Sequence, residues 1–120
     1  MLISVVIPLY NKASTIDAAI ASVVAQSWSE WKLIVVDDGS RDDSVERITR
    51  LQAQYGFDFQ VQQNRGLSRT LNSAIERSKG SLIVPFGSDD IMRPQRLAVQ
   101  VDYMQGKPEF GICSANIDII

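Results

Sequence analysis

Apolar and polar positions follow two periods along this chain, and the switches between them lay out its elements. Residues 3–9 (Ile-Ser-Val-Val-Ile-Pro-Leu) form a β-branched apolar run, the pattern of a strand buried on both faces. Pro8, which lacks an N–H, is expected to end that strand's ladder. Asn11 and Ser14 supply turn and N-cap chemistry, and Ile16, Ala19, Ile20, Val23 and Val24 then recur at helical spacing as far as Gln26. Lys32 to Val36 is a second apolar strand, closed by the turn Asp37-Asp38-Gly39-Ser40. A helix over 43–55 carries Val45, Ile48 and Leu51 on its apolar face, and Gly56 stands where a glycine C-cap belongs.

A short alternating strand is predicted over 58–62 and a helix over 66–78, with Leu67, Leu71, Ala74 and Ile75 inward and Gly80 closing it. An apolar strand follows over 81–86, with Asp89 and Asp90 just past its end. Pro94 is placed at a first helical position, Leu97, Val101 and Met104 line the helix before Gly106, and a last strand runs from Gly111 toward Ile120. Strands alternating with helices of this length predict an α/β, Rossmann-like fold, a mostly parallel sheet with helices on both faces. No repeat or linker interrupts the pattern, so residues 1–120 are read as one domain. A chain stopping in an apolar strand is the expected look of a domain truncated before its remaining part.

Composition narrows the chemistry. The net charge is −2, with 12 basic and 14 acidic residues scattered in both signs, which leaves no electrostatic footprint for nucleic acid. Histidine is absent and Cys113 is the one cysteine, so Ser-His and Cys-His hydrolases, Cys/His metal sites and an internal disulfide are all excluded. Cys113 is expected in the core, with Trp28 and Trp31 packed on the sheet. A lone cysteine suits a reducing cytoplasm, and no apolar run approaches a membrane span; peripheral attachment at the membrane's inner face stays open.

Ligands of an open parallel sheet bind at the carboxyl ends of its strands, where the polar residues of this chain gather. Tyr10 offers a ring for a base to stack on, or a cover for the sheet end. The Asp37-Ser40 segment serves as a turn in its own right, and its carboxylates could also accept from a base or ribose. Arg65 and Arg69 could pair with phosphate, although two arginines near a helix start are more often solvated surface, and Gly66 alone is a weak phosphate-loop signal. Asp89 and Asp90 are the most informative pair: adjacent carboxylates repel unless a cation or donors compensate, and hard oxygens suit Mg2+ or Mn2+ shared with a diphosphate. The same pair would also serve as a cap for the helix near Pro94.

Four segments taken together, Val-Val-Ile-Pro-Leu-Tyr-Asn (5–11), Val-Val-Asp-Asp-Gly-Ser (35–40), Asn-Arg-Gly-Leu-Ser (64–68) and Gly-Ser-Asp-Asp (87–90), closely resemble family-two glycosyltransferases. The resemblance implies the nucleotide-sugar-binding half of a GT-A fold. It implies a nucleotide site of Pro8, Tyr10, Asp37, Asp38, Arg69 and Asp89, with Tyr10 on the base, Asp38 accepting from a uracil-like ring and Asp37 supporting the turn. Asp90 matches the ligand of the divalent ion, Mn2+ or Mg2+, that bridges the diphosphate. Arg69 is implied to reach the nucleotide or its phosphates, although many relatives carry arginine just before the asparagine matching Asn72, where this chain departs from the pattern with Leu71. The implied reaction is transfer of a sugar with inversion from a nucleotide-diphosphate donor, a UDP-sugar foremost, to a glycan or lipid-linked acceptor. The general base belongs beyond residue 120, so this chain alone is expected to bind donor without transferring it. Two other classes compete: a non-catalytic nucleotide-binding or scaffold module, and a nucleotidyltransferase. The latter needs a basic triphosphate loop, for which Lys12 alone is a poor substitute.

Overall fold

The computed structural model describes residues 1–107 and 111–113. Its elements run β1 (Ile3–Leu9), α1 (Ile16–Val24), β2 (Trp31–Asp37), α2 (Ser44–Tyr55), β3 (Asp58–Val61), α3 (Leu67–Glu76), β4 (Leu82–Pro85) and α4 (Arg96–Gln105). The strands form one sheet in the order β3-β2-β1-β4, with every pairing parallel. The predicted strand from Gly111 toward Ile120 lies mainly outside the described residues. Among the described residues no helix is long and apolar enough to cross a membrane.

The apolar runs of β1 and β2 are continuous because each strand feeds two cores. Side chains alternate between faces, so Ile3, Val5, Ile7, Leu9, Leu33 and Val35 join α1, α2 and α4 on one side, while Val6, Ile34 and Val36 meet Leu71, Ala74 and Ile75 on the other. Crossovers of one hand explain the division. Winding from β1 through β2 to β3 keeps α1 and α2 on one face, and the return past β2 and β1 to β4 forces α3 onto the opposite face. Strand order therefore reverses between β1 and β4, and the crevice of such a sheet opens at that point.

Several local expectations need correction. Pro8 does not end the whole ladder: it pairs with Val36, and pairing continues to Leu9 and Asp37. The Leu9 carbonyl accepts from Asp38 N and the Val6 carbonyl from Phe86 N, so odd positions face β2 and even ones β4. The missing N–H of Pro8 thus points to the β4 side, where the ladder already stops at Val6 and Pro85. Ser14 is not the cap of α1; that place falls to Thr15, without a side-chain cap bond. Leu67 is exposed rather than inward, because it opens α3 beyond the apolar part of the sheet. Gly80 does not close α3, which ends at Glu76; it lets the chain pass β1, since a Cβ there would lie 2.6 Å from Ser4 N. Pro94 occupies the turn ahead of α4, where Arg96 N donates to Arg93 O. Cys113 is only partly buried. Gly56 does cap α2, at φ 71°, with its N–H on Gln52 O.

Gln26 is the residue on this side that the periodicity misreads as a helix end. Its buried amide accepts from Leu97 N at 3.1 Å and donates to Arg93 O at 2.7 Å and Ser22 O at 3.1 Å, capping α4 from the end of α1. Gln26→Ala should strand these partners and cost about 1–3 kcal/mol, read as a lower urea midpoint.

Candidate functional site

The loops leaving β1 and β2 are laced into one floor. Asp37, 0% exposed, accepts from Gly39 N at 3.1 Å, Ser40 N at 3.0 Å and the Ser40 hydroxyl at 2.6 Å, so its carboxylate writes the turn. Ser40 Oγ accepts in turn from Asn11 N at 2.9 Å, and Asn11 Oδ1 accepts from Arg41 N at 2.8 Å. Asn11 adopts a left-handed φ of 51°, a conformation asparagine tolerates better than most residues. One step on, Ser44 Oγ accepts from Lys12 N at 3.0 Å and Asp42 from Ala13 N at 3.1 Å. Burial pushes the Asp42 carboxyl up, but the Ser44 and Ala13 donors outweigh it and hold the group below the usual carboxylate range.

Asp38 plays a corresponding part toward α3. Gln62 Nε2 at 3.1 Å and Arg65 N at 2.7 Å donate to Oδ1, and Gly66 N at 3.0 Å and Asn64 Nδ2 at 3.3 Å donate to Oδ2. These occupy the acceptor sites of a carboxylate that is only 4% exposed. Burial again pushes its pKa up, and the donors, Gln62 first and then Arg65 and Gly66, more than reverse this. Asp38 thereby fixes the 64–66 segment from which α3 departs. Gly39 permits the approach: it has φ 75°, and a Cβ there would lie 2.9 Å from Asn64 N.

The third turn, Gly87 to Asp90, follows β4 and is closed by Asp90 N on Gly87 O at 3.2 Å. A Cβ on Gly87 would sit directly against Asp90 Oδ2 and 3.3 Å from Asp89 Oδ1, so both carboxylates fold back over the glycine. Asp89 pairs with Lys12 Nζ at 3.4 Å, while the exposed Asp90 carboxylate makes no ion pair or hydrogen bond among the described residues. Neither aspartate caps α4, whose N-cap is Gln95 and whose Leu97 N–H is taken by Gln26. With that role gone, two hard, exposed carboxylates side by side fit a small divalent cation that completes its shell with phosphate oxygens. Among the described residues no group of three His, Cys, Asp or Glu could hold a metal unaided.

The remaining predicted positions lie on other segments and form no bond to this turn's side chains among the described residues, and their exposure differs. Tyr10, at the end of β1, is 44% exposed, and the half-buried Pro8 lies two residues before it. Arg69 is exposed on the first turn of α3 and, like Arg65, forms no ion pair among the described residues. The periodicity gave no warning of Gln62, Asp42 or Ser44. Gln62 is the recoverable one: it is a polar residue just past a strand that pairs with β2, and its N–H donates to Asp37 O at 2.9 Å, level with the aspartate turn.

Fold and crevice define a Rossmann-like α/β domain with an acidic turn at its switch point. The sequence profile of Glycosyl transferase family 2 matches residues 4–119, and the chain belongs to that family. Among its relatives is the Escherichia coli UDP-Glc:alpha-D-GlcNAc-diphosphoundecaprenol beta-1,3-glucosyltransferase WfgD, 32% identical over 127 residues, covering 99% of this chain and 47% of that one. The fold is that of GT-A glycosyltransferases. S. aureus TarS 1-349 in complex with UDP-GlcNAc superposes with a TM-score of 0.81 at 24% identity, over 88% of this chain and 32% of that one. The mannosyltransferase PcManGT from Pyrobaculum calidifontis in complex with GDP-Man and Mn2+ gives 0.76 at 24% identity, over 85% and 32%. The chain spans less than half the length of the curated relatives it matches.

Proposed function

We propose that this chain is the donor-binding part of an inverting glycosyltransferase that takes a sugar from a nucleotide diphosphate, a UDP-sugar foremost, and serves a glycan or lipid-linked acceptor. The observation that carries the reading is the Asp89-Asp90 turn at the β1/β4 switch point, with the Asp90 carboxylate unpaired among the described residues and the exposed Tyr10 ring at the end of the neighbouring strand. Asp90, with Asp89 beside it, would hold Mn2+ or Mg2+, which when bound supplies positive charge to the departing diphosphate. Arg69 approaches the same phosphates from α3, and Tyr10 offers the base a face to stack on. A pyrimidine imino N–H would reach Asp38 Oδ2 by displacing one of the protein donors there. The Asn64 amide is the weaker of them, at 3.3 Å, and already donates to Asp38 O at 3.0 Å.

Uridine is favoured by the kinship with a UDP-glucose-dependent enzyme, and a lipid-linked acceptor by the same relative. None of the four aspartates of the crevice is free to act as base for the acceptor hydroxyl, because protein donors engage Asp37 and Asp38 and the proposed cation engages Asp89 and Asp90. The reading therefore assigns this chain donor binding and no transfer of its own. The same reading puts the work in the cytoplasm or at the inner face of the membrane, where a lone cysteine stays reduced.

Calorimetric titration with UDP, with and without Mn2+ and beside GDP and dTDP, tests the reading. Binding of UDP that needs Mn2+ and exceeds that of the other two is the expected outcome. A folded sample that takes up no nucleotide overturns it.

A further inference from the structure

We infer that Lys12 is a phosphate-binding residue of the donor site and, before donor arrives, the counter-cation of the acidic turn. The inference rests on the donor-site reading above and adds to it a residue outside the aspartate motif. Sequence alone gives Lys12 nothing to do, since one lysine does not make a triphosphate loop.

Its position is set by the backbone on both sides. Lys12 N donates to Ser44 Oγ at 3.0 Å, and Lys12 O accepts from Thr15 N at 3.1 Å and Ile16 N at 3.0 Å, so the residue is locked into the turn that leads into α1. Thr15 Oγ1 donates to Ser88 O at 3.0 Å and ties that turn to the acidic one. The ammonium therefore meets Asp89 across 77 residues of sequence because the two loops are fastened together.

The contact itself is loose. At 3.4 Å, with side chains 44% and 53% exposed, the pair adds little to folding and exchanges easily. Its effect is local: it neutralises one of two carboxylates that share the space over Gly87, leaving Asp90 unpartnered among the described residues. A divalent cation entering this turn competes with the ammonium for Asp89. Once displaced, the ammonium is tethered within a side chain's length of the cation's own ligands, where the donor's phosphates must lie. Lysine suits this exchange, being a flexible point charge with three donors where arginine presents a fixed fork. The ion pair then has opposite consequences for the two ligands: Lys12 opposes the cation when it comes alone and supports the nucleotide when it comes with the cation.

Lys12→Met keeps the backbone bonds and the stem and removes only the charge. Titrated with Mn2+ alone, followed by the EPR signal of the free ion, the variant should bind about threefold more tightly than the wild type. Titrated with UDP at saturating Mn2+, it should bind about tenfold more weakly. Lys12→Arg should restore most of the UDP affinity. Loss of fold would weaken both ligands, so the opposed signs separate the exchange from a structural role. Wild-type binding of Mn2+ and UDP with Lys12→Met unchanged in either titration overturns this inference and leaves the donor site standing. A wild-type chain that binds neither ligand overturns both.

Discussion

Asp90→Ala is expected to abolish Mn2+-dependent UDP binding while leaving the fold intact. The carboxylate is exposed, it makes no ion pair or hydrogen bond among the described residues, and the turn is closed by its backbone N–H on Gly87 O, which alanine retains. Thermal stability should consequently stay within about 0.5 kcal/mol of the parent, the range of surface substitutions remote from special features. Binding has no such reserve. Two carboxylates are all that the turn offers, and no third acidic, histidine or cysteine ligand stands near among the described residues. Losing one leaves Asp89, already paired with Lys12, as the turn's sole carboxylate. Outer-shell substitutions at metal sites cost about 10–100-fold in affinity, so removing a ligand should cost at least about 100-fold. Calorimetry with UDP and Mn2+ measures this directly. Undiminished, Mn2+-dependent UDP binding by a folded Asp90→Ala chain would falsify the assignment of Asp90 as metal ligand.

The large elements of this fold could be read from the chain because two-sided burial imposes continuous apolar runs on β1 and β2, and one-sided burial imposes helical spacing on α1 and α3. Where burial is incomplete the reading slips. Leu67 repeats the α3 pattern yet lies beyond the covered part of the sheet and is 68% exposed. Pro8 shows a different limit: a residue's effect on a ladder depends on which neighbour its N–H would face, and that parity exists only once both partners are placed. The positions of the site's carboxylates were also legible, since each follows a strand end. Their employment was not. Asp37, Asp38, Asp89 and Asp90 are two identical pairs in sequence. In the fold the first pair is buried and saturated by donors from the 39–40 and 62–66 segments, while the second is exposed around a glycine. For Asp38, partners 24 to 28 residues away decide the difference, and no local pattern carries them.

Asp38→Asn should be the more damaging of the conservative changes at the site, and its damage should appear in stability as well as binding. A carboxylate accepts at both oxygens; an amide accepts at one and donates at the other. Whichever way the substituted amide turned, its NH2 would face either Gln62 Nε2 and Arg65 N or Gly66 N and Asn64 Nδ2. One backbone donor, Arg65 N or Gly66 N, would be left without its acceptor, while Gln62 Nε2 keeps Thr70 Oγ1 and Asn64 Nδ2 keeps Asp38 O, a loss of about 1–3 kcal/mol in a urea titration at neutral pH. The pH dependence has a definite sign. Because the Asp38 carboxyl is held below its ordinary 3.8 in the folded chain, its contribution is complete above that value and drains away as pH falls through the lowered one. The gap between parent and variant should thus be constant from neutrality down to about pH 5 and close below pH 3.8. Binding should divide in a matching way. With the 64–66 segment loosened, the start of α3 and Arg69 lose their fixed approach to the nucleotide, and the base loses the oxygen it would enter at, so UDP affinity falls. Mn2+ alone meets only the Gly87 to Asp90 turn, and its affinity should hold. Equal stability of parent and variant at neutral pH would show that Asp38 does not organise the segment. A loss of Mn2+ affinity as large as that of UDP would mean that the two turns are one coupled site.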